Sequence, residues 1–96
     1  DNTEILFGES NYEHMKKRHP EDFEKYYDKL YEIIKKPDFV NLNPKDNSIR
    51  YLKILDDCVV VGVRVSSNGV FYARILFTYS DEKFKKQLEA GYLIKV

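Results

Sequence analysis

The chain has a single cysteine, Cys58, among its 96 residues, so it can form neither an internal disulfide nor a cysteine-based metal cluster, and its fold does not depend on an oxidising compartment. Glycine and proline are sparse, at four and three. No two glycines form a Gly-x-Gly pattern, which excludes a phosphate-cradling glycine loop. Long hydrophobic runs are missing too. The longest, Cys58 to Val63, falls far below the ~20 residues of a membrane helix, and the first residues do not resemble a secretory signal. Nor is there an excess of either charge: sixteen Lys and Arg balance sixteen Asp and Glu. That balance excludes the whole-molecule positive field of a constitutive nucleic-acid binder and leaves room only for a local cationic patch. A chain of this length is expected to hold one domain with one modest site.

What is present is patterned. After a short apolar arm, Ile5-Leu6-Phe7-Gly8, the stretch Ser10-Asn11-Tyr12-Glu13 has the form of a capping box and predicts the start of a first helix. Pro20 disfavours helical geometry at His19 and suits the first turn of a new helix, so two helices are expected to meet there. In the second, Glu21 and Asp22 complement the positive end of the dipole and Lys35 and Lys36 the negative end, before Pro37 stops it. Phe23, Tyr27, Leu30 and Ile34 set its apolar stripe, widened by Tyr26 and Ile33, and this face needs a sheet to pack on.

An Asn- and Pro-rich loop over 41–48 then leads into three predicted strands, Ile49–Leu55, Cys58–Val65 and Val70–Tyr79. Asp56-Asp57 turns the first into the second, and Ser66-Ser67-Asn68-Gly69 carries the Asn-Gly hairpin signal between the second and third. Ser80 is expected to cap a third helix, Asp81 to Ala90, which Gly91 stops, with Tyr92–Val96 as a closing strand. The predicted fold class is α+β: two N-terminal helices on a small antiparallel meander, one further helix and a short C-terminal strand.

Strict two-residue alternation assigns the sheet faces. In the last long strand Phe71, Ala73, Ile75 and Phe77 are predicted to face the core, with Tyr72, Arg74, Leu76 and Thr78 opposite. In the first, Leu52 and Ile54 oppose Tyr51 and Lys53. The polar side is then expected to collect Tyr51, Lys53, Tyr72, Arg74 and Thr78. There Lys53 and Arg74 could hold a phosphate backbone while Tyr51 or Tyr72 stacks bases, as single-stranded RNA is often held. An ordinary solvated sheet face is the plain alternative.

Both histidines of the chain fall within His14-Met15-Lys16-Lys17-Arg18-His19-Pro20. Histidine is the side chain that exchanges protons near neutral pH. Within this cluster His14 is the candidate proton acceptor. Metal-free RNA cleavage needs a base for the ribose 2′-hydroxyl, cations for the phosphorane oxygens and a donor for the leaving 5′-oxygen. His14, Lys53 or Arg74, and Thr78 or His19 are residues of those three types. Tyr79 is an alternative to Thr78 for positioning the phosphate, and Lys17 is a further substrate contact. In the plain alternatives, His19 caps the second helix and His14 is an exposed helix residue. Two histidines five apart across a proline do not share a helix face, so no metal and no cofactor is expected. Cys58 opens an apolar strand and reads as a small core residue.

Taken together, His14-x-x-x-x-His19-Pro20, Phe23, the helix exit Ile33-Ile34-Lys35-Lys36-Pro37-Asp38, the Asn-rich loop and a strand carrying Lys53 resemble the barnase, EndoU, colicin and RelE-like nuclease group, in particular its phage and polymorphic-toxin branch. The resemblance covers Leu6 to Val96 and includes the order of elements. It implies a metal-independent ribonuclease, often a toxin, that cuts transfer or other RNA and leaves a 2′,3′-cyclic phosphate. By this likeness His14 and Lys53 match positions that carry activity, while Arg74 and Thr78 fit a later strand that commonly supplies an arginine and a hydroxyl. The expected partners are an RNA substrate and a cognate immunity or antitoxin protein, with no membrane.

The expected place of action is the cytoplasm, including that of a target cell reached by delivery. The start at Asp1 without methionine fits a single domain, 1–96, forming the C-terminal part of a larger secreted or phage protein. Apart from its partner a monomer is expected. A reading from another class is a non-catalytic domain that holds RNA or protein through its eight tyrosines, and it would bind RNA without shortening it. A third is a structural domain of a delivery protein, with neither toxicity nor RNA affinity.

Overall fold

A computed structural model of the chain describes residues 5–6, 8–42 and 48–96, the first pair through the backbone alone. Helix α1 (Glu9–Arg18) starts two residues earlier than the capping box predicts. Gly8 is its extended N-cap with no side-chain hydrogen bond, and Ser10 lies inside the first turn. The charges still follow the dipole, with Glu9 at the start and Lys16, Lys17 and Arg18 at the end. The helix stops at His19, and α2 (Pro20–Tyr26) begins with proline in its first turn, as predicted.

The single second helix of the sequence reading is broken. A 3-10 turn over Tyr27–Lys29 separates α2 from α3 (Leu30–Lys35). Phe23, Tyr26, Leu30 and Ile33 form the buried stripe, whereas Tyr27 is 46% exposed. Tyr26 is drawn inward because its hydroxyl donates to Asp57 Oδ2 at 2.6 Å, and Lys25 Nζ donates to the same oxygen at 3.2 Å. These two donors hold the Asp57 carboxyl below its ordinary value of 3.8. A depressed carboxyl contributes stability that is whole above the unfolded value and is lost as pH falls through the folded one. Asp57→Asn should therefore melt below wild type at neutral pH, and the gap should close as thermal melts are taken below about pH 4.

The strands are β1 (Ile5–Leu6), β2 (Phe39–Asn41), β3 (Ser48–Ile54), β4 (Cys58–Val65), β5 (Phe71–Tyr79) and β6 (Leu93–Lys95). They form one sheet in the order β1-β5-β4-β3-β2-β6. The predicted meander is β3-β4-β5, all antiparallel. It is widened by β2, which pairs antiparallel with β3 and takes β6 on its other side. The N-terminal arm joins as a parallel edge, with Ile5 and Leu6 aligned to Phe71 and Tyr72. Residues 43–47 of the predicted loop, and Phe7 of the arm, lie outside the described residues. The Ser66–Gly69 hairpin forms as expected: the Gly69 amide donates to Ser66 O at 3.0 Å, with Gly69 at φ +81°. Ser80 caps α4 (Asp81–Glu89) by accepting from the Lys83 amide at 3.1 Å. No helix among the described residues is long and apolar enough to cross a membrane.

Both faces of the sheet carry apolar packing. Helices α1 to α3 cover one face, where Met15, Phe23, Leu30 and Ile33 meet Val59, Val61, Val63, Ala73 and Leu76. On the other face Leu52, Cys58, Val60 and Tyr79 cluster beneath Phe39, Phe77, Phe84 and Leu93, so α4 covers one end of it. Cys58 is buried there, and burial, then Asp38 and Asp81, push its thiol up to about 11, which suits a core residue and not a nucleophile.

Strict alternation fails in β5. Gly62 pairs with Ile75 but Val63 pairs with Ala73, which leaves Arg74 as the extra residue of a β-bulge. The bulge reverses the phase, so Ala73 and Leu76 both enter the helix-side core while Ile75 and Phe77 turn the other way. Two expectations are corrected by this. Ile75 and Phe77 do not share a face with Phe71 and Ala73, and the polar side does not collect Tyr51, Lys53 and Thr78. These three pair with Val61 and Val59 and lie on the helix side, whereas Tyr72 and Arg74 lie opposite. Gly62, beside the bulge, has no room for a side chain, because a Cβ there would stand 2.4 Å from Ile75 Cγ2. Gly62→Ala should lower stability by about 1–3 kcal/mol, read as a shift in denaturant midpoint.

Candidate functional site

The face that α4 covers at one end is open at the other. There Ser48 and Arg50 of β3, Gly62 and Arg64 of β4, and Arg74 and Ile75 of β5 join His14 of α1 around a hollow of about 130 Å³. Register builds it. Arg50 stands opposite Gly62 and Ser48 opposite Arg64, so both β3 residues share the face of the two β4 residues. The missing side chain at Gly62 keeps the floor low beside Arg50, and the bulge adds Arg74. His14 reaches the rim because α1 packs along β5, with the neighbouring Met15 fully buried in the helix-side core.

Arg50 is braced by aromatic rings. Its guanidinium lies 5.5 Å from the Phe77 ring, and Nη1 donates to the Tyr79 hydroxyl at 3.4 Å. Its Nε is buried without a hydrogen-bond partner among the described residues. His19 stacks on the same Phe77, with centroids 5.6 Å apart and planes 30° apart. Ion pairs among the described residues join Lys25 to Asp56 and Asp57, and Lys86 to Glu82. Arg50, Arg64 and Arg74 therefore have no carboxylate partner among the described residues. Three grouped guanidiniums repel one another, and an anion between them relieves that repulsion. The zero net charge of the chain thus hides a cationic end of one sheet face.

Of the residues singled out in the sequence, His14 and Arg74 meet in this hollow. Lys17 lies with Lys16 and His14 in a neighbouring recess, Tyr72 lies in an adjoining one, and Tyr79 braces Arg50. His19 stacks on Phe77, and the other three are across the sheet. Lys53 Nζ donates to Lys36 O at 2.8 Å, and the Thr78 hydroxyl donates to the Asp22 carboxylate at 3.3 and 3.4 Å. Tyr51 packs against the helix-side core, and burial raises its phenol pKa. Arg50, Arg64 and Ser48 were missed. Arg50 shares its strand face with Leu52 and Ile54, and that apolar company made the face read as core. The described residues contain no group of three or more His, Cys, Asp and Glu placed to hold a metal ion.

Fold and site together define an α+β domain with a histidine-bearing, arginine-rich sheet face chemically suited to a phosphate diester. The chain belongs to the phage-Barnase-EndoU-ColicinE5/D-RelE like nuclease3 family (PBECR3), whose model matches residues 1–94. That family is one of nucleases, as the resemblance read from the residues implied. No curated protein and no solved structure matches the chain.

Proposed function

We propose that the chain is a metal-independent endoribonuclease whose centre is the hollow of His14, Arg50, Arg64 and Arg74. The carrying observation is that one histidine and three arginines, with no carboxylate partner among the described residues, line the same small space. In this mechanism His14 takes the proton of the ribose 2′-hydroxyl, and the 2′-oxygen attacks the adjacent phosphorus. The arginines hold the non-bridging oxygens, whose charge grows in the transition state. The bond from phosphorus to the 5′-oxygen breaks, leaving a 2′,3′-cyclic phosphate and a 5′-hydroxyl. The leaving oxygen takes a proton from His19, which the Phe77 stack keeps on the Arg50 side of the sheet. An inhibitor of this domain would be an acidic immunity or antitoxin protein that covers the arginines, and the place of action a cytoplasm that holds RNA.

The test is incubation of the domain with total RNA and transfer RNA in chelating buffer, followed by end-group analysis. Discrete fragments ending in cyclic phosphate are expected. RNA that is retarded in a gel yet stays intact over a range of pH and salt would instead favour the non-catalytic binding domain. Cleavage only after a divalent cation is restored would remove the metal-independent mechanism.

A further inference from the structure

A second hollow, about 390 Å³, adjoins the first and shares Arg64 and Arg74 with it. Its other walls differ in kind: Tyr72 of β5, Ser66 of the hairpin, and Ser10 and Asn11 from the first turn of α1. Tyr72 stands opposite Arg64 in the register of β4 and β5, so a ring and a guanidinium flank one space on the open face. The Ser66 hydroxyl is engaged in its own turn, where it accepts from the Val70 amide at 3.2 Å and contacts Asn68. The half-buried Asn11 carboxamide has no hydrogen-bond partner among the described residues.

We propose that this hollow is a nucleobase subsite, which takes the base next to the scissile phosphate, with Tyr72 as its stacking platform and Asn11 as the group that reads the base edge. The inference rests on the ribonuclease reading of the adjoining hollow and adds the part of the substrate that reading leaves unassigned. A phosphate held by the two shared arginines sits at the border of both spaces, so the base beside it enters the larger one while the 2′-hydroxyl stays near His14. A tyrosine ring accepts the π-face of any base. A carboxamide carries two donors and an acceptor in fixed positions and so distinguishes one base edge from another. Affinity therefore comes from Tyr72 and preference from Asn11.

The experiment is equilibrium binding of AMP, GMP, CMP, UMP and ribose 5-phosphate to the chain and to its Tyr72→Ala, Tyr72→Phe and Asn11→Ala variants. At least one nucleotide should bind about tenfold or more tighter than the sugar phosphate. Tyr72→Ala should bring the nucleotides down to the sugar-phosphate level, whereas Tyr72→Phe, which keeps the ring, should bind as wild type does. Asn11→Ala should level the ranking of the four bases and keep the stacking gain. Equal binding of nucleotides and ribose 5-phosphate, or a base ranking that survives Asn11→Ala, overturns the subsite. Because no cleavage enters the readout, a chain that binds nucleotides in this pattern yet never cuts RNA would overturn the ribonuclease reading and leave the subsite standing.

Discussion

His14→Ala should reduce RNA cleavage by about 10²- to 10⁴-fold, the loss typical of a missing general base, while RNA binding stays close to wild type. In the proposed mechanism the two effects separate, because His14 is the base and the arginines that line the hollow with it hold the substrate. Alanine favours the helix, and the anchor of α1 is the neighbouring buried Met15, so circular dichroism of the variant should match wild type. Wild-type cleavage by a folded His14→Ala chain would return this histidine to the role of an ordinary helix residue and send the search for the base to His19. Loss of binding together with cleavage would show His14 to be a substrate contact and not a base.

The second large effect concerns which face of the sheet works. Arg50→Ala and Arg74→Ala should each lower cleavage by about 10²- to 10³-fold, as expected for removal of one group that stabilises the charge of the transition state. Each should also reduce the salt dependence of RNA binding by the share of about one phosphate contact. Lys53→Ala and Thr78→Ala should stay within a few-fold of wild type, because their polar atoms are engaged with Lys36 O and the Asp22 carboxylate on the helix side. Arg50→Lys should keep the charge but lose the planar fork and its seat on Phe77, giving an intermediate loss. A Lys53→Ala defect as deep as that of Arg74→Ala would move the centre to the other face.

Local chemistry made much of the fold legible. Pro20, Pro37, Ser80 and the Asn68-Gly69 turn act through their own backbone geometry or their nearest neighbours, and each does in the structure what its residue type predicts. What escaped depends on distant partners. The three residues of β2 make a strand because β3 and β6 flank them, and the arm at Ile5–Leu6 is a strand because β5 offers it an edge. Of the candidate site, His14 and Arg74 were legible by residue type. Arg50 and Arg64 were illegible by position, because a strand face that is apolar at the α4 end and charged at the other follows no repeat. The nuclease family entered through a resemblance that runs from Leu6 to Val96, and the match over residues 1–94 agrees with it.

The extra residue at Arg74 places a guanidinium in the hollow without disturbing the pairing of the core. Removing it would leave an unbroken alternation in which Ala73 stays opposite Val63 and Ile75 stays opposite Gly62. Phe71 and Ala73 would keep the helix side and Tyr72 the other, so the ladder would close while the hollow lost one of its three arginines. The bulge is thus an insertion that serves the arginine cluster and not the core, and a domain of this fold without it should still fold.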